Sequence, residues 1–255
     1  MKSSLWEWLA PAGLFVCTFG SLLVFSPVQQ DAAYHNFADQ SMLMGVPHFW
    51  NVLSNMPFIA VGFLGLWLLL RGRFDIAPGD EPPFFVLFLG VVLTGFGSLY
   101  YHFEPTTERL LWDRLPMTFG FMALFAAVLG ERFRPRLGLL LLGPMLLLGV
   151  GSVLYWHFSE QRGAGDLRPY ATVQFYPLIV IALLVLFRPS PYTCGTDYLI
   201  ALGWYAVAKV LETFDGQVYE LIGGVGGHPL KHVAAACGAL WLVKMLLVRE
   251  RVGKQ

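Results

Sequence analysis

LGLLLLGPMLLLGVGSVLYWH, Leu137–His157, runs without a single Lys, Arg, Asp or Glu. At a rise of about 1.5 Å per residue, a helix of this length covers about 30 Å, which is the thickness of the bilayer hydrocarbon core. Only helices and closed barrels satisfy their backbone hydrogen bonds there. Barrel strands are about ten residues long and alternate in polarity, so this run reads as a membrane-spanning helix. Similar runs flank it on both sides. They are Leu9–Ser26, Phe49–Leu70, Phe84–His102, Leu110–Gly130, Ala171–Phe187, Tyr198–Phe214 and His228–Val248. Short connections rich in Pro, Gly and charge separate them. Composition agrees, with 56% hydrophobic and only 13% charged residues, against about 25% charged in soluble domains. The fold class expected is an all-α, polytopic transmembrane helix bundle.

The formal net charge is zero, so no nucleic-acid partner is expected. Cys17, Cys194 and Cys237 are odd in number and widely spaced, which suits buried small residues rather than a disulfide framework. The whole chain, 1–255, reads as a single integral membrane domain. Lys2 precedes the first apolar run, as in a signal peptide, but Glu7 sits in front of that run and no small-residue cleavage site follows it, so it is expected to remain as a helix. Lys2, Arg71, Arg73, Arg132, Arg134, Arg136, Arg188, Arg249, Arg251 and Lys254 fall on one side of the expected bundle. Arg109, Arg162 and Arg168 fall on the other, where the loops from Pro27 to His48 and from Asp215 to Gly227 hold no Lys or Arg. The positive-inside rule then puts both termini in the cytoplasm.

All six histidines fall on the opposite, outer side. In His228-Pro-Leu-Lys-His232 the i, i+4 spacing puts two imidazoles on one helix face, and Pro229 fits a first helical turn. Such a pair suits a zinc ion, but alone it is a weak motif, and interface histidines bonded to loop carbonyls are the plainer reading. In Gly95-Phe-Gly-Ser98-Leu-Tyr-Tyr-His102, Ser98 and His102 share a face. Asp113 follows after a turn at the same depth, where an ion pair with Arg114 or a charge at the helix N-terminus is the plainer use of its carboxylate. A third histidine at this depth gives three protein ligands and an open position, the arrangement of a catalytic rather than a structural zinc.

These motifs, with Phe49-Trp-Asn51-Val-Leu-Ser54-Asn55, give the chain a resemblance to the alkaline ceramidases, in their bacterial form, and to the wider membrane hydrolases that include the adiponectin-type receptors. The resemblance spans about Asp31 to Val243. It implies a seven-helix core over 31–255, preceded by an extra N-terminal helix within 1–30. It implies zinc held by His102, His228 and His232, Asp113 orienting and deprotonating water, and Ser98 stabilising the oxyanion or placing that water. The reaction implied is hydrolysis of ceramide, or a related membrane lipid amide, to a long-chain base and a fatty acid, with the site on the outer (periplasmic or lumenal) side. Animal members carry a calcium site before the first core helix. Here Asp31 and Asn36 match it, but Tyr34 and His48 stand where glutamates are expected, so Ca2+ binding should be weak or absent.

Other polar residues are expected in supporting roles. Lys209 and Glu212 should pair and lock the bundle, with a substrate headgroup role as the alternative. Asn51, Ser54 and Asn55 should bond between helices or support the metal ligands. His157 reads as structural. His35 and Asp39 are expected in a solvated loop, with a position above the site as the alternative. Two readings from other classes use the same residues. One is a non-catalytic receptor-like or lipid-binding protein retaining a structural zinc. The other is a proton-coupled transporter relaying through Lys209, Glu212 and Asp215, which the scarcity of titratable groups in the inner helix halves disfavours. An intramembrane serine protease built on Ser98 lacks a Gly-x-Ser-Gly string.

Overall fold

The computed structural model describes residue 20 and residues 24–253. The expected first span, Leu9–Ser26, lies almost wholly outside them. The apolar stretch that follows is a bundle helix, but a broken one, α1 (Phe49–Leu53) and α2 (Met56–Leu70). Pro57 has no N–H with which to continue the ladder. Instead Ser54 N bonds back to Trp50 O at 3.0 Å and Phe58 N to Asn55 O at 3.1 Å. Then come α3 (Glu81–Phe103), α4 (Thr107–Arg132), α5 (Pro135–Gln161) and α6 (Arg168–Phe187). The chain closes with α7 (Asp197–Thr213), α8 (Asp215–Ile222) and α9 (Gly227–Val248).

Among the described residues six spans, counting α1 and α2 together, are long and apolar enough to cross a membrane. At 17 residues α7 is shorter, and it packs along α9. The protein is thus an all-α bundle, as expected. A short hairpin, β1 (Met42–Leu43) with β2 (Val46–Pro47), turns through Met44 and Gly45, both at positive φ. Residues 215–222 depart from the reading of this segment as loop. They form a helix that stops where Gly223 takes φ 74°, a left-handed position glycine adopts without steric cost.

Phe88, Val128, Ile181 and Leu246 are fully buried where α3, α4, α6 and α9 meet. Small residues set the closest approaches. A Cβ on Gly97 would collide with the carbonyl oxygen of Trp112, so glycine there lets α3 and α4 run in contact beside Ser98 and Asp113.

The end of the bundle away from the histidines is richer in titratable groups than its sequence suggested. Buried Glu131 pairs with buried Arg249 and accepts a 2.8 Å hydrogen bond from the Tyr198 hydroxyl. Arg249 also donates to the Asp75 carbonyl at 3.1 Å and stacks 4.0 Å from the Tyr192 ring centroid. Because every charge in this set is paired, its physical role is to tie α4, α7 and the chain beyond α9 together.

Candidate functional site

His102 ends α3, and His228 and His232 occupy the first two turns of α9. Two contacts bring these helix ends together. The Asp215 carboxylate accepts from His228 N at 2.7 Å and from Ala38 N at 2.9 Å. It thereby complements the N-terminus of α9 and staples the outer segment to it. Beside Ala38, buried Phe37 lays its ring 4.4 Å from that of His228 and 4.8 Å from that of His102, covering both.

The three imidazoles are buried, and one donor atom from each lies within 4.8 Å of the others. His102 Nε2 and His228 Nε2 are 3.3 Å apart. Tetrahedral zinc with Zn–N distances of about 2.0–2.1 Å holds its nitrogens about 3.3–3.4 Å apart, so this spacing already suits a shared ion. The third ring is oriented from behind. Ser54 Oγ lies 2.8 Å from His232 Nδ1 and donates to Asn51 O at 3.1 Å. With its one proton committed to that carbonyl, the hydroxyl accepts from Nδ1–H, which leaves His232 Nε2 as a free ligand. Asn55 donates to the same carbonyl at 2.7 Å. Ser54 and its neighbours therefore do support a histidine, as their spacing implied. Among the described residues this triad is the one cluster with the donors for a metal.

A cavity of about 220 Å³ opens beside the histidines, lined by Ser98, Asp113, Phe58, Tyr205 and His232 among others. Asp113 is buried, and the Ser98 hydroxyl is its hydrogen-bonding partner. Ser98, Asp113 and His232 thus line one cavity, and His232 belongs with His102 and His228 to the buried triad. Arg114 is not an ion-pair partner of Asp113; no carboxylate lies within 4.0 Å of its guanidinium among the described residues. Lys209 and Glu212 pair as expected, but Glu212 also binds Lys231 Nζ at 2.6 Å, and all three face the cavity. Lys231 and Arg114 went unrecognised as cavity residues in the sequence. The spacing of Lys231 within the His228–His232 turn was the available signal.

Asp39 and His35 do not lie in a freely solvated loop. Asp39 is fully buried, its carboxylate accepting from Trp50 N and Asn51 N at 2.9 and 3.1 Å and so sealing the start of α1. His35 sits between Tyr101 Oη at 2.8 Å and Thr107 Oγ1 at 3.1 Å. Burial, then the positive Arg114, hold its pKa below the usual imidazole value. Neither residue joins the triad. Of the residues aligned with a calcium site, Asp31 accepts from Ala33 N at 2.9 Å, and His48 Nδ1 lies 2.7 Å from the Asp39 carbonyl oxygen. His157 stands apart, bonded to Gln161 at 3.0 Å.

A family model described as Ceramidase matches residues 40–202, more than half of the chain. The chain belongs to the ceramidase family. The matched stretch contains Ser98, His102 and Asp113 and ends before His228 and His232, which the fold returns to the same point. No curated protein matches the chain. Membership in the ceramidase family supports an activity on the amide bond of a ceramide-type lipid.

Proposed function

We propose that this protein is a zinc-dependent intramembrane amidase that cleaves ceramide or a related lipid amide to a long-chain amine and a fatty acid. The observation that supports the reading is the cluster of three buried imidazoles, one of which, His232, lines a cavity together with Asp113 and Ser98. His102, His228 and His232 would hold the zinc, and their neutral, mutually facing nitrogens are a donor set that suits it. When bound, zinc supplies Lewis-acid polarisation and lowers the pKa of water.

The remaining chemistry falls to the chain's own groups. The Asp113 carboxylate takes a proton from the attacking water. As the C–N bond breaks, Asp113 returns that proton to the departing nitrogen, so one group serves as base and then as acid. The Ser98 hydroxyl lies beside Asp113 on the cavity wall and is placed to donate to the developing oxyanion, a contact worth about 2.7–4 kcal/mol. Phe37 and the surrounding helices exclude bulk water. The apolar wall of the cavity takes the chains of a lipid entering from the bilayer. The basic residues clustered at the other end support an orientation with both termini in the cytoplasm and the site facing outward.

The test is fatty-acid release from N-acylsphingosine by the purified full chain, with Asp113→Asn and His102→Ala as variants. Turnover by the parent and loss of at least about 100-fold in each variant is expected. Parent-level release by both would refute the assigned roles. Zinc binding with no release from any lipid amide would favour the receptor-like alternative.

A further inference from the structure

Arg114 is 6% exposed and lines the cavity that holds Asp113 and Ser98. Its guanidinium is held by three rings, with Cζ 4.2 Å from the centroid of Trp156, 5.0 Å from Tyr170 and 5.5 Å from Tyr34. One Nη donates to Gln30 Oε1 at 2.6 Å. The other, Nη1, is buried with no acceptor among the described residues. No carboxylate among the described residues pairs with this arginine, while the nearby Glu212 is already bound by both Lys209 and Lys231. The charged side chains on the cavity wall are Arg114, Lys209 and Lys231 against Asp113 and Glu212, an excess of one cation.

A buried charge ordinarily has a counterion, and an unmet buried donor on a charged group is costly. Cation–π contacts position a guanidinium and offset part of its desolvation, but they leave its in-plane donors unsatisfied. The planar fork is suited to an oxyanion. We propose that Arg114 is the anchor of an anion subsite in this cavity, and that the ligand accommodated there carries a carboxylate, or a similar oxyanion, close to its amide. The inference rests on the amidase reading for the lipid nature of the ligand and deepens it, because it prefers an acidic lipid amide to a neutral one. The same chemistry has a second source, the carboxylate of the fatty acid that hydrolysis releases.

Binding to the purified full chain separates these. N-palmitoylserine is compared with N-palmitoylserinol, in which a neutral hydroxymethyl group replaces the carboxylate. Palmitate is compared with hexadecanol. The parent is expected to bind the acidic member at least about tenfold more tightly in one or both pairs, as a charge-assisted hydrogen bond implies. Arg114→Gln should abolish that preference, and Arg114→Lys should keep part of it. A preference in the first pair assigns the anion to the substrate; one confined to the second assigns it to the product. No preference in either pair in the parent overturns the proposal, even if the variants do not fold. A preference that persists unchanged in folded Arg114→Gln overturns it too. Because binding requires no turnover, tight binding of N-palmitoylserine with no fatty acid released from it or from N-acylsphingosine would sink the amidase reading and leave the subsite standing.

Discussion

Ser54→Ala isolates the hydrogen bond that orients His232, a proposed metal ligand, without touching any of the three histidines. The hydroxyl lies 2.8 Å from His232 Nδ1 and is tied to Asn51 O at 3.1 Å. Alanine removes both contacts and leaves His232 free to rotate or to move its proton to the nitrogen that must face the metal. Losing such an outer partner typically lowers metal affinity about 10–100-fold, or about 1.4–2.7 kcal/mol. Fold stability should fall by only about 1 kcal/mol, the net worth of one hydrogen bond. Chelator competition on detergent-purified protein measures the affinity, and thermal unfolding of the metal-free form checks the fold. Ser54→Thr keeps the hydroxyl and should recover most of the affinity. If Ser54→Ala binds zinc within twofold of the parent while His232→Ala does not, the tautomer argument is wrong.

Three further outcomes are expected. Phe37→Ala removes a buried ring lying against His102 and His228, and should cost about 3–5 kcal/mol of stability, read by denaturant or thermal unfolding. Glu131→Gln leaves Arg249 buried without its counter-charge, and should cost about 3–5 kcal/mol, whereas the double change Glu131→Gln with Arg249→Met should recover much of it. At the same end, burial and then the negative Glu131 and Glu81 push the Asp80 carboxyl up to about 6. The folded state therefore holds this proton more tightly than the unfolded chain. The stability from that proton is complete below pH 4 and is lost as pH rises through about 6. Melting profiles from pH 5 to 8 should be flatter for Asp80→Asn than for the parent.

The helices were legible because apolar length is a direct physical signal. Expected and observed bounds differ by a few residues, as with Leu110–Gly130 against Thr107–Arg132, where Thr106 caps the helix by accepting from Arg109 N at 3.3 Å. The site was legible for a related reason. His102, Asp113, His228 and His232 are polar groups at one depth in otherwise apolar segments, and polarity there marks function. What escaped notice depends on partners distant in sequence. The break at Ser54–Asn55 follows from Pro57, yet the hydropathy of Phe49–Leu70 is continuous across it. Residues 37–39 read as a polar loop because nothing local reveals that Asp39 finds the N–H groups of Trp50 and Asn51, or that Phe37 finds two histidines. Arg114 looked like a partner for the adjacent Asp113. On a helix, however, successive side chains point about 100° apart, which turned the guanidinium toward Trp156 and Tyr170 instead. Glu131 and Arg249 sit at helix ends where charge is expected to face water, and only the packed bundle shows them buried together.

The proposed amidase depends on one metal joining α3 to α9 through three imidazoles. X-ray absorption and elemental analysis of the purified chain, saturated with zinc and freed of excess, test it most directly. One zinc per chain is expected, bound by three imidazole nitrogens at about 2.0–2.1 Å and lost in His102→Ala. Protein that takes up no zinc, or His102→Ala protein that retains a full equivalent with unchanged ligands, would contradict it.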